Sequence, residues 1–144
     1  MRLAAVIAVM AVFRPTGWLA ATGSGELLVL AAGGEVVRRV DSGFRHEHLM
    51  SLAVDAAHGV AYSLATCFHG GEGLRAVSIE PGTSRLVRRA PCGNDLTLGP
   101  GSTLLALESG NASAGTSVIA LRRSSGGILH RWRFPSFVVA VAGT

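Results

Sequence analysis

Four glycines, Gly17, Gly59, Gly101 and Gly143, recur at intervals of 42 along a chain of 144 residues. A fixed period of that size confines a chain to a row of similar supersecondary units, each burying an apolar face against the next. Glycine is abundant here, at 19 positions, so the interval gains its force from what flanks each glycine. Before each lies a short apolar run, at residues 9–13, 49–54, 96–98 and 137–141. After the first three glycines comes a second run, at 18–22, 60–66 and 104–107. A third follows a polar, glycine-containing loop, at 27–30, 74–79 and 117–121. Next is a turn carrying Gly33-Gly34, Pro81-Gly82 or Ser125-Gly126-Gly127, where glycine supplies the positive φ of a tight hairpin. Each unit closes on a run holding arginines: Arg38 and Arg39, Arg88 and Arg89, Arg131 and Arg133.

Each unit thus holds four strand-sized runs, and no segment carries a sustained 3.6-residue apolar period with caps. The expectation is an all-β chain of antiparallel four-stranded units, with turns at 14–17, 33–34, 55–59 and 81–84. Four short strands in about 42 residues is the pattern of a propeller blade. Residues 11–24, Ala-Val-Phe-Arg-Pro-Thr-Gly-Trp-Leu-Ala-Ala-Thr-Gly-Ser, resemble the first half of a WD40-like blade, and residues from Val36 onward resemble its outer strand. The Gly-His and Trp-Asp dipeptides of true WD40 repeats are missing, so the resemblance is to degenerate WD40-like propeller repeats. It implies a partial β-propeller in one repeat domain over residues 1–144. The blade-like units run approximately over 9–40, 48–91 and 93–135, with an extra strand at 136–144.

Composition agrees with a packed core, since 49% of residues are apolar and 15% charged. All thirteen basic residues are arginine, and the formal net charge is +4. That excess permits weak attraction to anions, but nucleic-acid binding needs a clustered basic face. The run at residues 3–13 has the length of a signal-peptide core and is too short for a membrane span, and the absence of acidic residues before Glu26 also fits a transit peptide. It also serves as the first strand of the repeat, which the periodicity favours; no transmembrane segment is expected. A cytoplasmic or organellar location is favoured over secretion.

Closed propellers contain about 4–8 blades, and this chain supplies three and one further strand. The blades at an open end expose apolar faces and strand edges. A protein partner, or missing blades of a longer chain, is therefore expected to cover them. The function this implies is a non-enzymatic protein-interaction scaffold, part of a larger propeller or assembly.

Two sets of residues qualify as candidate sites. Blade topology brings the longer loops, near 41–47, 67–73, 91–95 and 108–115, to one face, which would gather His46, His48, Cys67, His69 and Cys92. Thiols and imidazoles are zinc ligands, which gives an alternative reading as a propeller enzyme or a ligand or metal sensor. Their spacing matches no zinc signature, and solvated histidines with small buried thiols explain them as well. A Cys67–Cys92 disulfide is a further option and needs an oxidising compartment. The second set is a basic rim of Arg38, Arg39, Arg88, Arg89, Arg131 and Arg133 on the outer strands. It suits an RNA-contacting accessory protein; equally, charge on an edge strand blocks unwanted pairing, and aromatics for base stacking are sparse. No catalytic constellation and no cofactor is implied. Gly70-Gly71-Glu72-Gly73 lacks a following Gly-Lys-Ser/Thr, Ser102 and Ser113 lack a nucleophile elbow, and acidic residues stand singly. Asn111-Ala112-Ser113 fits a glycosylation acceptor, which matters only in a secreted chain.

Overall fold

Alternating apolar runs of five to seven residues, punctuated by glycine, give the strands their lengths. A computed structural model describes residues 7–12, 17–44, 49–65, 73–89, 93–108 and 116–135. These form twelve strands and, among the described residues, no helix. The first sheet comprises β1 (Ile7–Val12), β2 (Gly17–Thr22), β3 (Glu26–Ala31) and β4 (Val36–Asp41). The second comprises β5 (Leu49–Asp55), β6 (Val60–Ala65), β7 (Leu74–Ser78) and β8 (Thr83–Arg88), and the third β9 (Gly93–Leu98), β10 (Thr103–Glu108), β11 (Thr116–Arg122) and β12 (Ile128–Phe134). Each sheet is an antiparallel meander, with its strands side by side in chain order. The all-β expectation, the four-strand units and the turn at Gly33-Gly34 are found in the structure. The turn expected at 55–59 occupies 56–59, and the one expected at 81–84 occupies 79–82 because β8 already begins at Thr83. Of the one expected at 14–17 only Gly17, in β2, lies within the described residues.

Sheets stack face to face. β1 packs beside β5 and β5 beside β9, so the first strand of every sheet is innermost. Contact between sheets is dense at these inner strands and thin between the outer strands β4 and β8. The sheets therefore diverge like wedges around an axis. Two apolar clusters fill the two seams. Leu19, Ala21, Leu27 and Val40 of the first sheet meet Leu52, Ala61, Val77 and Ile79 of the second. Tyr62, Leu64, Leu74 and Ala76 on the opposite face of the second meet Leu96, Leu104, Ile119 and Leu121 of the third.

The strands do not keep the 42-residue interval of the glycines. β2, β6 and β10 begin at Gly17, Val60 and Thr103, a step of 43. Gly17 is the first residue of β2, Gly59 precedes β6, and Gly101 lies two residues before β10. A one-residue slip moves every side chain of a strand to the other face, so burial must follow the 43-residue step. It does inside the seams: Leu19 and Tyr62 are equivalent and buried, and so are Ala61 and Leu104. Gly59 and Gly101 are free to slide because they belong to turns. Gly59 and Gly101 have φ of 63° and 58°, a left-handed geometry that glycine adopts without penalty.

Candidate interaction surface

The side chains that lock sheet to sheet are arginines, and they serve the two seams differently. Between the first and second sheets, Arg75 of β7 reaches across to the chain leaving β4. Its Nε donates to the Ser42 carbonyl at 3.1 Å, and its guanidinium lies over the Phe44 ring, 5.7 Å from the centroid. Ser42 is held in turn, because its hydroxyl and its amide both donate to the Gly25 carbonyl. Further out, Arg38 Nη1 lies 3.6 Å from Glu80 Oε2 in the β7–β8 turn.

Between the second and third sheets the main contact is an ion pair, beside which Ser51 Oγ donates to Asp95 Oδ1 at 3.4 Å. Arg123, in the turn after β11, donates from Nη1 to Asp55 Oδ2 at 2.9 Å. The same guanidinium donates to the carbonyls of Thr103 at 2.9 Å and Gly99 at 3.1 Å, so all three of its nitrogens are used. Both side chains are largely out of water, 15% and 11% exposed. Asp55 ends β5, and its turn closes through His58, whose amide donates to Oδ1 at 3.3 Å and whose Nδ1 lies 2.9 Å from Oδ2. Burial pushes the Asp55 carboxyl up. The hydrogen bonds and charge of His58, then the charge of Arg123, outweigh burial and hold it below its ordinary value.

Of the basic-rim residues, most have partners within the fold. Arg39 Nη1 pairs with Glu26 Oε2 at 3.2 Å, Arg131 Nη2 with Glu108 Oε1 at 3.3 Å, and Arg38 with Glu80. Arg88 donates from Nη1 to the Gly126 carbonyl of the third sheet at 3.3 Å, which makes it a seam residue. Arg89 and Arg133 are exposed. His46, His48, Cys67, His69 and Cys92 lie outside the described residues, as do Asn111-Ala112-Ser113 and the strand expected at 136–144. Among the described residues no group of three or more His, Cys, Asp or Glu is placed to hold a metal ion, and no helix is long and apolar enough to cross a membrane.

Two residues that sequence reasoning passed over, Asp55 and Arg123, make the strongest polar contact between sheets. The carboxylate opening a four-residue turn that ends in His58-Gly59 was the available signal for Asp55. Arg123 stands beside Arg122 just as the rim arginines stand in pairs, and nothing local marks it as different.

Apolar exposure is concentrated on the outer strands and the two end faces. The face of the first sheet turned away from the second carries Trp18, 41% exposed, beside buried Ala20, Leu28 and Leu30. The far face of the third carries Trp132, 42% exposed, whose ring centroid is 4.3 Å from that of His130. All seven residues of β12 are exposed, whereas β4 and β8 are each partly buried. The aliphatic residues of the end faces, Leu28, Leu30, Leu107 and Val118 among them, are buried. The apolar surface expected at the ends is thus narrower than a whole blade face and is mainly aromatic.

Sheets of four antiparallel strands, innermost strand first, splayed around an axis and joined in chain order, describe one architecture. The fold is that of a β-propeller. Known structures agree. The chain aligns with the Pan2 WD40 domain of Neurospora crassa at TM-score 0.61 and 13% identity, over 88% of this chain and 36% of that one. BamB from Moraxella catarrhalis gives 0.61 and 15%, over 93% and 38%. The β-propeller domain of Cps50 (Swd1) from Myceliophteria thermophila gives 0.62 and 13%, over 94% and 40%. This propeller chain therefore spans 36–40% of the length of those structures. No protein-family model matches the sequence, and no curated protein does. The three sheets are blades of a partial propeller, and each pair of facing blades forms a seam.

Proposed function

We propose that this chain is a non-enzymatic interaction scaffold, contributing three blades to a larger propeller or assembly. The observation that carries this reading is the pair of end faces. Trp18 and Trp132 are exposed at positions whose counterparts inside the arc pack against a neighbouring blade. Proteins in water tend to cover such aromatic positions, and aromatic residues are enriched where partners dock. The similarity to WD40 domains supports the same reading, because that fold commonly serves protein interaction; it does not by itself choose a partner.

The rim arginines favour this reading over an RNA-contacting one. Phosphate binding would have to displace Glu26, Glu80 and Glu108 from Arg39, Arg38 and Arg131. Each displacement would offset much of the counterion-release gain that drives nucleic-acid affinity. The test is native mass spectrometry of the full chain recovered from its own cells under gentle conditions. A complex of fixed stoichiometry, lost on Trp18→Glu or Trp132→Glu while the wild-type circular dichroism is retained, is the expected result. Recovery of the bare chain alone would overturn the scaffold reading.

A further inference from the structure

The two internal seams share one construction. In each, the turn between the third and fourth strands of the following blade leans over the outer strand of the preceding one. In the first seam Glu80 and Gly82 lie against Arg38 of β4. In the second Gly126 lies against Arg88 of β8, where an added Cβ would meet the Arg88 and Val87 side chains at 2.9 Å. The registers say which residues of the ends correspond. Ala21 pairs with Leu27 and Leu27 with Val40; Leu64 with Leu74 and Leu74 with Arg88; Leu107 with Val118 and Val118 with Trp132. Trp132 is therefore the third-blade equivalent of Val40 and Arg88, the residues that face the following blade. Val40 is 2% exposed, buried in the first seam. On the first blade, Trp18 is the equivalent of Ala61 and Leu104, which are fully buried against the preceding blade.

The chain's two tryptophans thus stand at the two ends of the arc, each where an internal blade would be covered. We propose that they cover each other: two copies join head to tail, the third blade of each against the first blade of the other, closing a six-bladed ring. A ring of six falls within the range of about 4–8 blades that closed propellers use. A third copy would exceed that range. The new seam would repeat the outer part of the internal ones, a turn laid over an outer strand. The exposed turn Gly33-Gly34-Glu35 of one copy would lie over Trp132 of the other, and a Cβ at Gly34 would meet nothing within 4 Å, so the turn is open to a partner.

Hydrogen-bonding complementarity supports the same pairing. Val29, Ala76 and Ala120 are equivalent, and they pair with Arg38, Arg85 and His130. His130 therefore stands where Arg38 stands when it pairs with Glu80. The free turn of the first blade offers Glu35, exposed, as the matching acid. The positions equivalent to Asp55 and Arg123 are Gly99 and Ala32, so neither half of that ion pair would stand unpaired in the seam between copies. Closure by rotation joins unlike patches through two identical seams, and a two-fold axis coincides with the axis of the ring.

This inference rests on the scaffold reading and names its first partner as a second copy. It is tested on the purified full chain by sedimentation velocity at micromolar concentration. The expected species has twice the 14.8 kDa of the chain. Trp132→Glu and Trp18→Glu should each weaken association by roughly 30-fold, the scale of one interface hot spot. Glu35→Arg and His130→Glu should each weaken it too, and the two combined should restore it. A monomer, a larger oligomer, or a dimer indifferent to both tryptophan substitutions would overturn self-closure. Should the pure chain be monomeric while the cellular chain still carries a tryptophan-dependent partner, self-closure fails and the scaffold reading stands.

Discussion

Where the first blade meets the second, the main polar contact is a cation reaching a backbone carbonyl, Arg75 to Ser42, with Phe44 beneath it. Where the second meets the third, it is a carboxylate against a guanidinium, Asp55 to Arg123, with both groups largely buried. The apolar fillings are similar in kind, Leu, Val and Ala from facing sheets. Equivalent seams in one repeat fold therefore need not use equivalent polar groups. What the geometry demands is apolar area along the inner strands. The polar contact is local, and its type decides how the seam responds to pH and to substitution. A stranded carbonyl costs less than a stranded carboxylate, because burying an unpaired charge carries the larger desolvation penalty.

The largest effect should come from the apolar filling. Leu104→Ala opens a cavity in the second seam at a fully buried position, with an expected loss of about 2–5 kcal/mol in urea unfolding. A loss below about 1 kcal/mol would mean that the seam collapses around the gap and that burial there is not what joins the blades. Arg123→Met should follow, at about 3 kcal/mol, because it leaves Asp55 to His58 alone. Arg75→Met in the other seam should cost about 1–2 kcal/mol, the scale of one charged hydrogen bond and one cation–π contact. Equal losses for the two arginines would break the contrast between seams. Arg39→Ala should be smallest, within about 1 kcal/mol, since its pair with Glu26 is exposed.

Acid should sharpen the same contrast. Asp55 has a folded pKa below its unfolded value of about 3.9. The stability it contributes is therefore present above that unfolded value and is lost as pH falls through the folded one. The gap between wild type and Arg123→Met should narrow as pH falls below the unfolded value of about 3.9, whereas the Arg75→Met gap should not depend on Asp55. A gap for Arg123→Met that stays constant through that window would remove the ion pair from the explanation.

The strands were legible because apolar runs separated by glycine turns leave little choice of element. The four-strand units followed from those runs. Their phase was not legible. Gly17, Gly59 and Gly101 suggested 42, while the buried equivalents Leu19 and Tyr62, and Ala61 and Leu104, step by 43, because a turn glycine can shift by one residue where a core side chain cannot. The rim arginines were visible as pairs. Their partners were not, since Glu80 and Gly126 reach Arg38 and Arg88 only once blades are stacked. The loop set of His46, His48, Cys67, His69 and Cys92 falls outside the described residues, and the extra strand at 136–144 does as well. The Asp55–Arg123 contact spans 68 residues, so no local pattern could announce it.

That separation makes the pair the most direct test of the stacking of the blades. A double-mutant cycle combines Asp55→Asn with Arg123→Met and measures unfolding free energy at neutral pH. Residues on adjacent, packed blades should couple by about 2 kcal/mol, within the range of about 0.5–3 kcal/mol seen for groups in contact. Additive losses, within about 0.5 kcal/mol of their sum, would mean that the two side chains do not meet and that the third blade is not docked on the second as described.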